Sequence, residues 1–178
     1  MNGSEISIED RSWAFALAIY AEPGVSEACL RLQDEAGVDV MLLLAVAFAA
    51  RRGIALSASD ISAMDAACRP WREQVVRPLR ALRIALKSGP LPAPNEASEK
   101  LRSQIKLSEL QAERLACDLL ASWMQSRAGT SRAIAAEEFV AALGQVVDQA
   151  LPRSQRDRIV DLAPAIDIIA AAARRIPA

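Results

Sequence analysis

One apolar stretch constrains the fold more than any other feature of the chain. Residues 40–50 are all apolar, an unbroken run of eleven. A helix without a polar face is stable in water only when other elements enclose it. Gly37 is suited to end the preceding helix, Asp39 to cap the apolar one, and Gly53 to end it. We therefore expect a central apolar helix over about residues 39–52.

The composition indicates that the surrounding elements are also helices. The 178 residues include 36 alanines, which favour helix and allow helices to approach closely. No segment alternates apolar and polar residues with a period of two, as a strand would. We predict an all-α protein, an irregular bundle of six to eight helices that forms a single domain over residues 1–178.

A proline-rich segment divides this domain. Residues 89–94 contain three prolines and have no helical pattern, so we expect a linker there. Residues 8–88 would form the core before it, and the helices of residues 95–178 would pack on that core. Asn95 is suited to cap the helix after the linker, which is either one long helix or two halves meeting near Ser108.

Helical spacing also predicts which side chains are buried. The first helix, from Ser7 to about Ala21, has a predicted apolar face of Trp13, Ala16, Leu17 and Tyr20. The helix after the linker has a predicted apolar stripe of Leu101, Ile105, Leu115, Leu119 and Trp123. Its solvated side would carry Glu109, Glu113, Arg114 and Asp118. Between these helices, Pro70 is expected to lie in the first turn of a new helix that runs to about Lys87.

The residue inventory argues against familiar catalytic chemistry. Histidine is absent, which removes the commonest general base and the commonest metal ligand, and with them the usual catalytic triads. The seven glycines are dispersed, so the chain has no glycine-rich phosphate loop. We predict no catalytic residue, no metal and no cofactor, and the balance favours a protein that is not an enzyme.

The carboxylate pairs Glu109 with Glu113 and Asp157 with Asp161 were the remaining candidates for acid and base chemistry. Each pair has a four-residue spacing and is flanked by basic residues. This pattern is typical of exposed helix surfaces. We therefore expect both pairs to be solvated.

The cysteines and the N-terminus indicate a cytoplasmic location. Cys29, Cys68 and Cys117 are odd in number and each lies among apolar residues, so buried thiols are expected rather than disulfides or a zinc site. The N-terminus is polar and acidic, unlike a signal peptide. The apolar run is also shorter than the roughly 20 residues of a membrane helix, so no membrane span is expected.

Charge is distributed unevenly along the chain. Residues 1–40 hold eight acids and two arginines, whereas residues 69–88 hold six bases and one acid. We expect the acidic front and the basic middle to face each other or a partner. The sequence pI of about 5.6 and the shortage of exposed aromatic residues argue against nucleic-acid binding.

The turn at Gly37 and a stripe of arginines form the candidate binding site. Asp34 and Glu35 lie near the negative end of the second helix, where the helix dipole disfavours acids, so a compensating cation is needed. We hypothesise that this turn meets the arginine stripe, either as a structural ion-pair network or as a ligand site. The candidate residues are Gln33, Asp34, Asp39, Arg72, Arg80 and Arg83, with Trp13, Tyr20 and Trp71 as aromatic neighbours.

Two strings carry a family resemblance: ALAIYAEPGVSEACLRLQDEAGVDVMLLL, at residues 16–44, and PWREQVVRPLRALRIALK, at residues 70–87. From about Arg11 to Gln125 the chain resembles an uncharacterised bacterial family classed as a domain of unknown function. The matching residues are Trp13, Tyr20, Pro23, Gly24, Val25, Cys29, Leu30, Leu32, Gln33, Gly37, Asp39, Val40, Trp71, Arg72, Pro78, Leu79 and Arg80. Family members commonly have asparagine where this chain has Met41. The resemblance implies a compact helical domain and no known reaction.

Two functions remain open from the sequence. The first is a non-enzymatic helical adaptor or regulatory protein, which binds a protein partner through the basic stripe of residues 69–87 or through an exposed apolar groove. The second is a small-molecule domain, possibly an enzyme, in which Arg72, Arg80 and Arg83 hold an anion in a pocket closed by Trp13 or Trp71. A homo-oligomer is compatible with either function.

Overall fold

The computed structural model describes residues 6–126 and 131–178, and it confirms the all-α prediction. These residues form eight α-helices and no strand. The helices are α1 (Ile8–Tyr20), α2 (Val25–Ala36), α3 (Val40–Arg51), α4 (Ala58–Trp71), α5 (Arg77–Ala85), α6 (Glu96–Gln125), α7 (Ala136–Ala150) and α8 (Ile159–Arg175). A π-helical turn (Arg72–Val76) joins α4 to α5, and a 3-10 turn (Arg153–Arg158) precedes α8.

Helix α3 is the centre of the bundle, as the sequence predicts. Every side chain of residues 42–50 is buried, and α1, α6, α7 and α8 all pack against this helix. The side chain of Asp39 caps it by accepting a hydrogen bond from the backbone N–H of Leu42 at 3.1 Å. Gly37 ends the helix before it with a φ of 70°. The local signals therefore fixed both ends of the apolar stretch.

The predicted apolar face of α1 is wrong by about a third of a turn. Its buried residues are Ser12, Phe15, Ala16 and Ile19. Leu17 and Tyr20, placed inside by the prediction, are 50% and 41% exposed. The polar Ser12 is tolerated in the core because its Oγ lies 3.3 Å from Sγ of Cys117 on α6.

Helix α6 is one continuous helix of 30 residues, but its predicted stripe is also wrong. Ile105 is buried, whereas Leu101, Leu115 and Leu119 are each close to half exposed. Glu109, which we expected on the solvated side, is only 5% exposed. The prediction failed because arginines from α5 supply partners for this acid, a tertiary contact that spacing within α6 does not reveal.

The break expected at Pro70 does not occur. Helix α4 continues through this proline to Trp71. Cys68 is buried on one side of the proline, and on the other Nε1 of Trp71 donates to the carbonyl of Ala112 on α6 at 2.9 Å. These contacts hold both sides of Pro70 in place, and the irregularity lies one residue after Trp71, in the π-helical turn.

The three cysteines are buried and free of disulfide bonds, as expected. Burial raises the pKa of Cys29 and that of Cys68 to about 12. Neither thiol is therefore a reactive thiolate at neutral pH. None of the helices in the described part of the chain is long and apolar enough to cross a membrane.

Candidate functional site

The π-helical turn brings the arginines onto one face. In an uninterrupted α-helix, the eight residues from Arg72 to Arg80 would turn through about 800°, leaving the two side chains roughly 80° apart. A π-helical turn accommodates one extra residue, so the rotation from Arg72 to Arg80 approaches the roughly 700° of seven α-helical steps. The two side chains then differ in direction by only about 20°. Both arginines consequently point towards the neighbouring helices.

Arg72 follows the end of α4 and joins the start of α3 to the middle of α4. Its Nη1 donates to Asp39 at 2.6 Å and to Asp65 at 2.7 Å, and the side chains of Arg72 and Asp39 are only 12% and 11% exposed. Arg69 also bonds to Asp65. Asp39 therefore both caps α3 and pairs with an arginine, whereas the Nε of Arg72 is buried without a hydrogen-bond partner among the described residues.

Arg80 joins three helices. Its Nε donates to Glu109 at 2.9 Å, its Nη2 to Glu113 at 2.5 Å, and its Nη1 to Gln33 of α2 at 2.7 Å. Arg83 adds a second pair of hydrogen bonds to Glu109 from the next turn of α5. We call the set Gln33, Arg80, Arg83, Glu109 and Glu113 the inner cluster.

The two acids of the inner cluster have their pKa values shifted in opposite directions. Burial alone would raise the pKa of Glu109, but the hydrogen bonds from Arg83 and Arg80 outweigh it, so this pKa is lowered from 4.5. At Glu113, burial outweighs the attraction of Arg80, and the pKa is raised from 4.5. The folded protein therefore stabilises the carboxylate of Glu109, whereas it makes the carboxylate of Glu113 easier to protonate than in the unfolded chain.

We expect Glu109→Gln to lower the free energy of unfolding at pH 7 by about 2 kcal/mol, because two arginines lose a charged partner. Glu113→Gln should leave that stability unchanged or raise it slightly, because it removes a carboxylate whose charged form is disfavoured by burial. Urea unfolding at pH 7 measures both free energies.

The same pair of variants tests the pH dependence. The lowered pKa of Glu109 stabilises the fold above pH 4.5, and this stability is lost as the pH falls through the folded-state pKa. The raised pKa of Glu113 acts in reverse, since its contribution is complete below pH 4.5 and is lost as the pH rises. Equal losses from both variants at pH 7 would contradict these shifts.

The structure brings most of the predicted site residues together. Gln33 meets Arg80, and Asp39 meets Arg72. Arg83 contacts Glu109, whereas Asp34 is exposed and lies outside the cluster. That these residues bind a ligand remains a prediction.

A different arginine compensates the end of α2. Arg158 donates from Nη1 to the backbone carbonyl of Glu35 at 3.0 Å and from Nη2 to its carboxylate at 3.1 Å. The side chain of Arg31 also donates to that carboxylate. The cation that compensates the C-terminal end of α2 thus comes from the turn before α8. No pattern in the sequence predicts this contact.

Three members of the charged network were missed by the sequence analysis: Asp65, Glu109 and Glu113. The two glutamates were assigned to the solvent because four-residue spacing is common on exposed helices. The only sequence signal for the burial of these glutamates was the excess of bases in residues 69–88, which indicates acidic partners elsewhere in the chain. Among the described acids of the front, Asp39 alone pairs with this basic segment, and others pair elsewhere, for example Asp10 with Arg114 of α6.

The two tryptophans make their polar contacts with groups other than the candidate arginines. Trp71 bonds to α6, and the ring of Trp13 lies 5.5 Å from the guanidinium of Arg114. Tyr20 is partly exposed, and burial of its hydroxyl raises its pKa. A cavity of about 230 Å³ lies instead between α3 and α7, and none of the candidate arginines lines it. Within the described residues, no three His, Cys, Asp or Glu side chains are grouped to hold a metal.

The fold and the charged network define an all-α protein with an internal ion-pair system. The family described as "Protein of unknown function (DUF2390)" matches residues 11–120, and the chain belongs to this family. The match continues past the proline-rich segment into α6. Comparison with curated proteins and with solved structures found no match. Family membership therefore identifies a domain without supplying a function for it.

Proposed function

We propose that this protein is a non-enzymatic adaptor or regulatory protein that binds a protein partner through the α5–α6 hairpin, residues 77–110. The observation that carries the proposal is that α5 buries none of its nine residues. Leu82 and Ile84 are 49% and 56% exposed on this short helix. Helices of globular proteins normally gain their stability by burying one apolar face, whereas α5 packs on α6 through its partly buried arginines and leaves these two apolar side chains largely uncovered.

The first part of α6 extends the same exposed surface. Leu101, Leu107 and Leu110 are 48%, 63% and 45% exposed. Single exposed leucines are ordinary, whereas a group of them on two packed helices is typical of interaction sites. An amphipathic helix of a partner could add to such a hairpin as a third helix.

The alternative anion site gains no support from this geometry. Each of its three arginines already donates to a carboxylate of the protein itself. A bound anion would have to displace those acids, and it would leave Glu109 buried without its partners. The arginine stripe therefore supports the fold, and the exposed apolar side chains are the better candidates for recognition.

We place the adaptor in the bacterial cytoplasm as part of this proposal. The family resemblance implies a bacterial protein, and three reduced, buried cysteines are compatible with a reducing compartment. The acidic sequence pI also makes a protein partner a better candidate than nucleic acid.

The proposal predicts the effect of adding charge to the hairpin. The protein is purified from its own host at low salt, and stoichiometric companions are identified by mass spectrometry. Two double variants are compared with the parent protein. One combines Ile84→Asp and Leu107→Asp, and the other combines Leu82→Asp and Leu101→Asp. At least one of them should lose the partner, because a carboxylate cannot be buried against an apolar helix.

A matched control separates recognition from folding. Val160→Asp with Ile168→Asp places two acids at exposed apolar positions of α8, which packs against α2 and α7. This control should keep the partner, and all variants should keep the helical circular dichroism of the parent. Retention of the partner by both hairpin variants would sink the proposal, as would equal loss in the control.

A further inference from the structure

We infer that the partner contributes an acidic amphipathic helix, and that it docks on one particular side of the hairpin. This inference rests on the proposed function and makes it specific. The surface consists of three cations and three large apolar residues, which we call the basic hairpin face: Arg77, Ile84, Lys87, Lys106, Leu107 and Leu110.

Helical spacing and one hydrogen bond place five of these residues on a common side, and Lys87 lies in the turn directly after α5. On α5, Arg77 precedes Arg80 by three residues, and Ile84 follows it by four, so the three share one face. On α6, Lys106 and Leu110 precede Glu113 by seven and three residues, and Leu107 lies a further three residues before Leu110, towards the same side. Arg80 and Glu113 are bonded to each other across the two helices at 2.5 Å. The two faces therefore adjoin along the side of the hairpin where that bond lies.

The cations of this face are available to a partner. Arg77, Lys87 and Lys106 are exposed, and none forms a salt bridge with any residue in the described ranges. The only acid further along the α6 face, Glu99, is already paired with Arg102. Residues 77–110, the whole hairpin, hold seven bases and three acids. The uncompensated charge of the face is thus positive.

The opposite flank of the hairpin has a different character. Leu82 lies there because it is about 160° around α5 from Arg80. Leu101 lies there because it is offset from Glu113 by about 120° in the direction opposite to that of Leu107. An acidic partner is favoured on the face that offers both apolar area and unpaired cations. The positive charge also disfavours self-association of two identical faces, so a second copy of this chain is a poor occupant.

Synthetic peptides of about 15 residues test the inference with the full-length protein. One peptide has leucines along one side of a helix and glutamates beside them. A second carries lysines in place of the glutamates, and a third has the acidic composition in an order without an apolar side. Methyl NMR of the protein locates the binding, and fluorescence anisotropy measures its affinity.

We expect only the acidic amphipathic peptide to bind, and to shift the methyl signals of Ile84, Leu107 and Leu110. The double variant Arg77→Glu with Lys106→Glu should weaken this binding about tenfold or more, and added salt should weaken it as well. Neither residue belongs to the inner cluster, so the stability of this variant should stay near that of the parent.

Several results would overturn the inference. One is that the lysine peptide, or the peptide without an apolar side, binds as tightly as the acidic amphipathic peptide. Another is that the methyl shifts are centred on Leu82 and Leu101. A third is that the protein binds anionic vesicles but not the acidic peptide. If the aspartate variants lose the host partner and the acidic peptide still does not bind, only this inference fails. If the aspartate variants keep the host partner, the proposed function fails with it.

Discussion

Replacing Arg80 by alanine is expected to lower the free energy of unfolding by about 3 kcal/mol at pH 7. The guanidinium of Arg80 bonds to Glu109, Glu113 and Gln33 on two other helices. Its removal leaves Glu113 and Gln33 without this donor, and leaves the buried Glu109 with Arg83 alone. Breaking a buried ion pair from one side is costly because the remaining charge stays desolvated.

Urea unfolding measures this loss, with Arg77→Ala as the matched control. Arg77 lies one turn earlier on the same helix and is exposed, so its replacement should change stability by no more than about 0.5 kcal/mol. The loss in the Arg80 variant should shrink as the pH falls through the lowered folded-state pKa of Glu109, because this carboxylate then becomes protonated. A loss in that variant no larger than in the control would mean that the inner cluster does not stabilise the bundle.

Gly53→Ala is expected to be comparably destabilising, by about 3 kcal/mol. Gly53 has a φ of 77°, a conformation that costs any L residue with a side chain roughly 1–2 kcal/mol. An added Cβ would also collide with the carbonyl oxygen of Arg132, whose backbone N–H donates to the carbonyl of Gly53 at 3.0 Å. The substitution therefore combines backbone strain with a clash that breaks this tie.

Gly37→Ala separates these two contributions. Gly37 has a similar φ of 70°, but an added Cβ there would meet no atom within 4 Å. Only the backbone strain remains, so this variant should lose about 1 kcal/mol. Thermal unfolding of both variants measures the difference. Equal losses would show that the approach of residues 131–132 to Gly53 contributes nothing.

The features that the sequence predicted well are those decided by near neighbours. Asp39 caps α3, and Asn95 and Ser98 cap α6 through bonds that span three residues. The apolar run of α3 required burial on every side, whatever its neighbours were. Such requirements are visible in a short window of sequence, which is why the central helix and its ends were correct.

The errors come from contacts between distant residues. Glu109 was placed in solvent because its partners, Arg80 and Arg83, lie on another helix. The exposure of Leu101 followed from the same cause, since the arginines turn the face of Glu109 inward. The sequence predicts the arginine stripe itself, but helical spacing does not predict the π-helical turn that aligns Arg72 with Arg80. The single-domain organisation remains a prediction.

Hydrogen exchange of the protein with and without its native partner tests whether the α5–α6 hairpin is the surface that meets this partner, while the inner cluster only supports the fold. We predict that partner binding slows exchange in residues 77–87 and 103–110 and leaves α8 unchanged. Slower exchange in α1, α2 or α8, with the hairpin unaffected, would contradict the account.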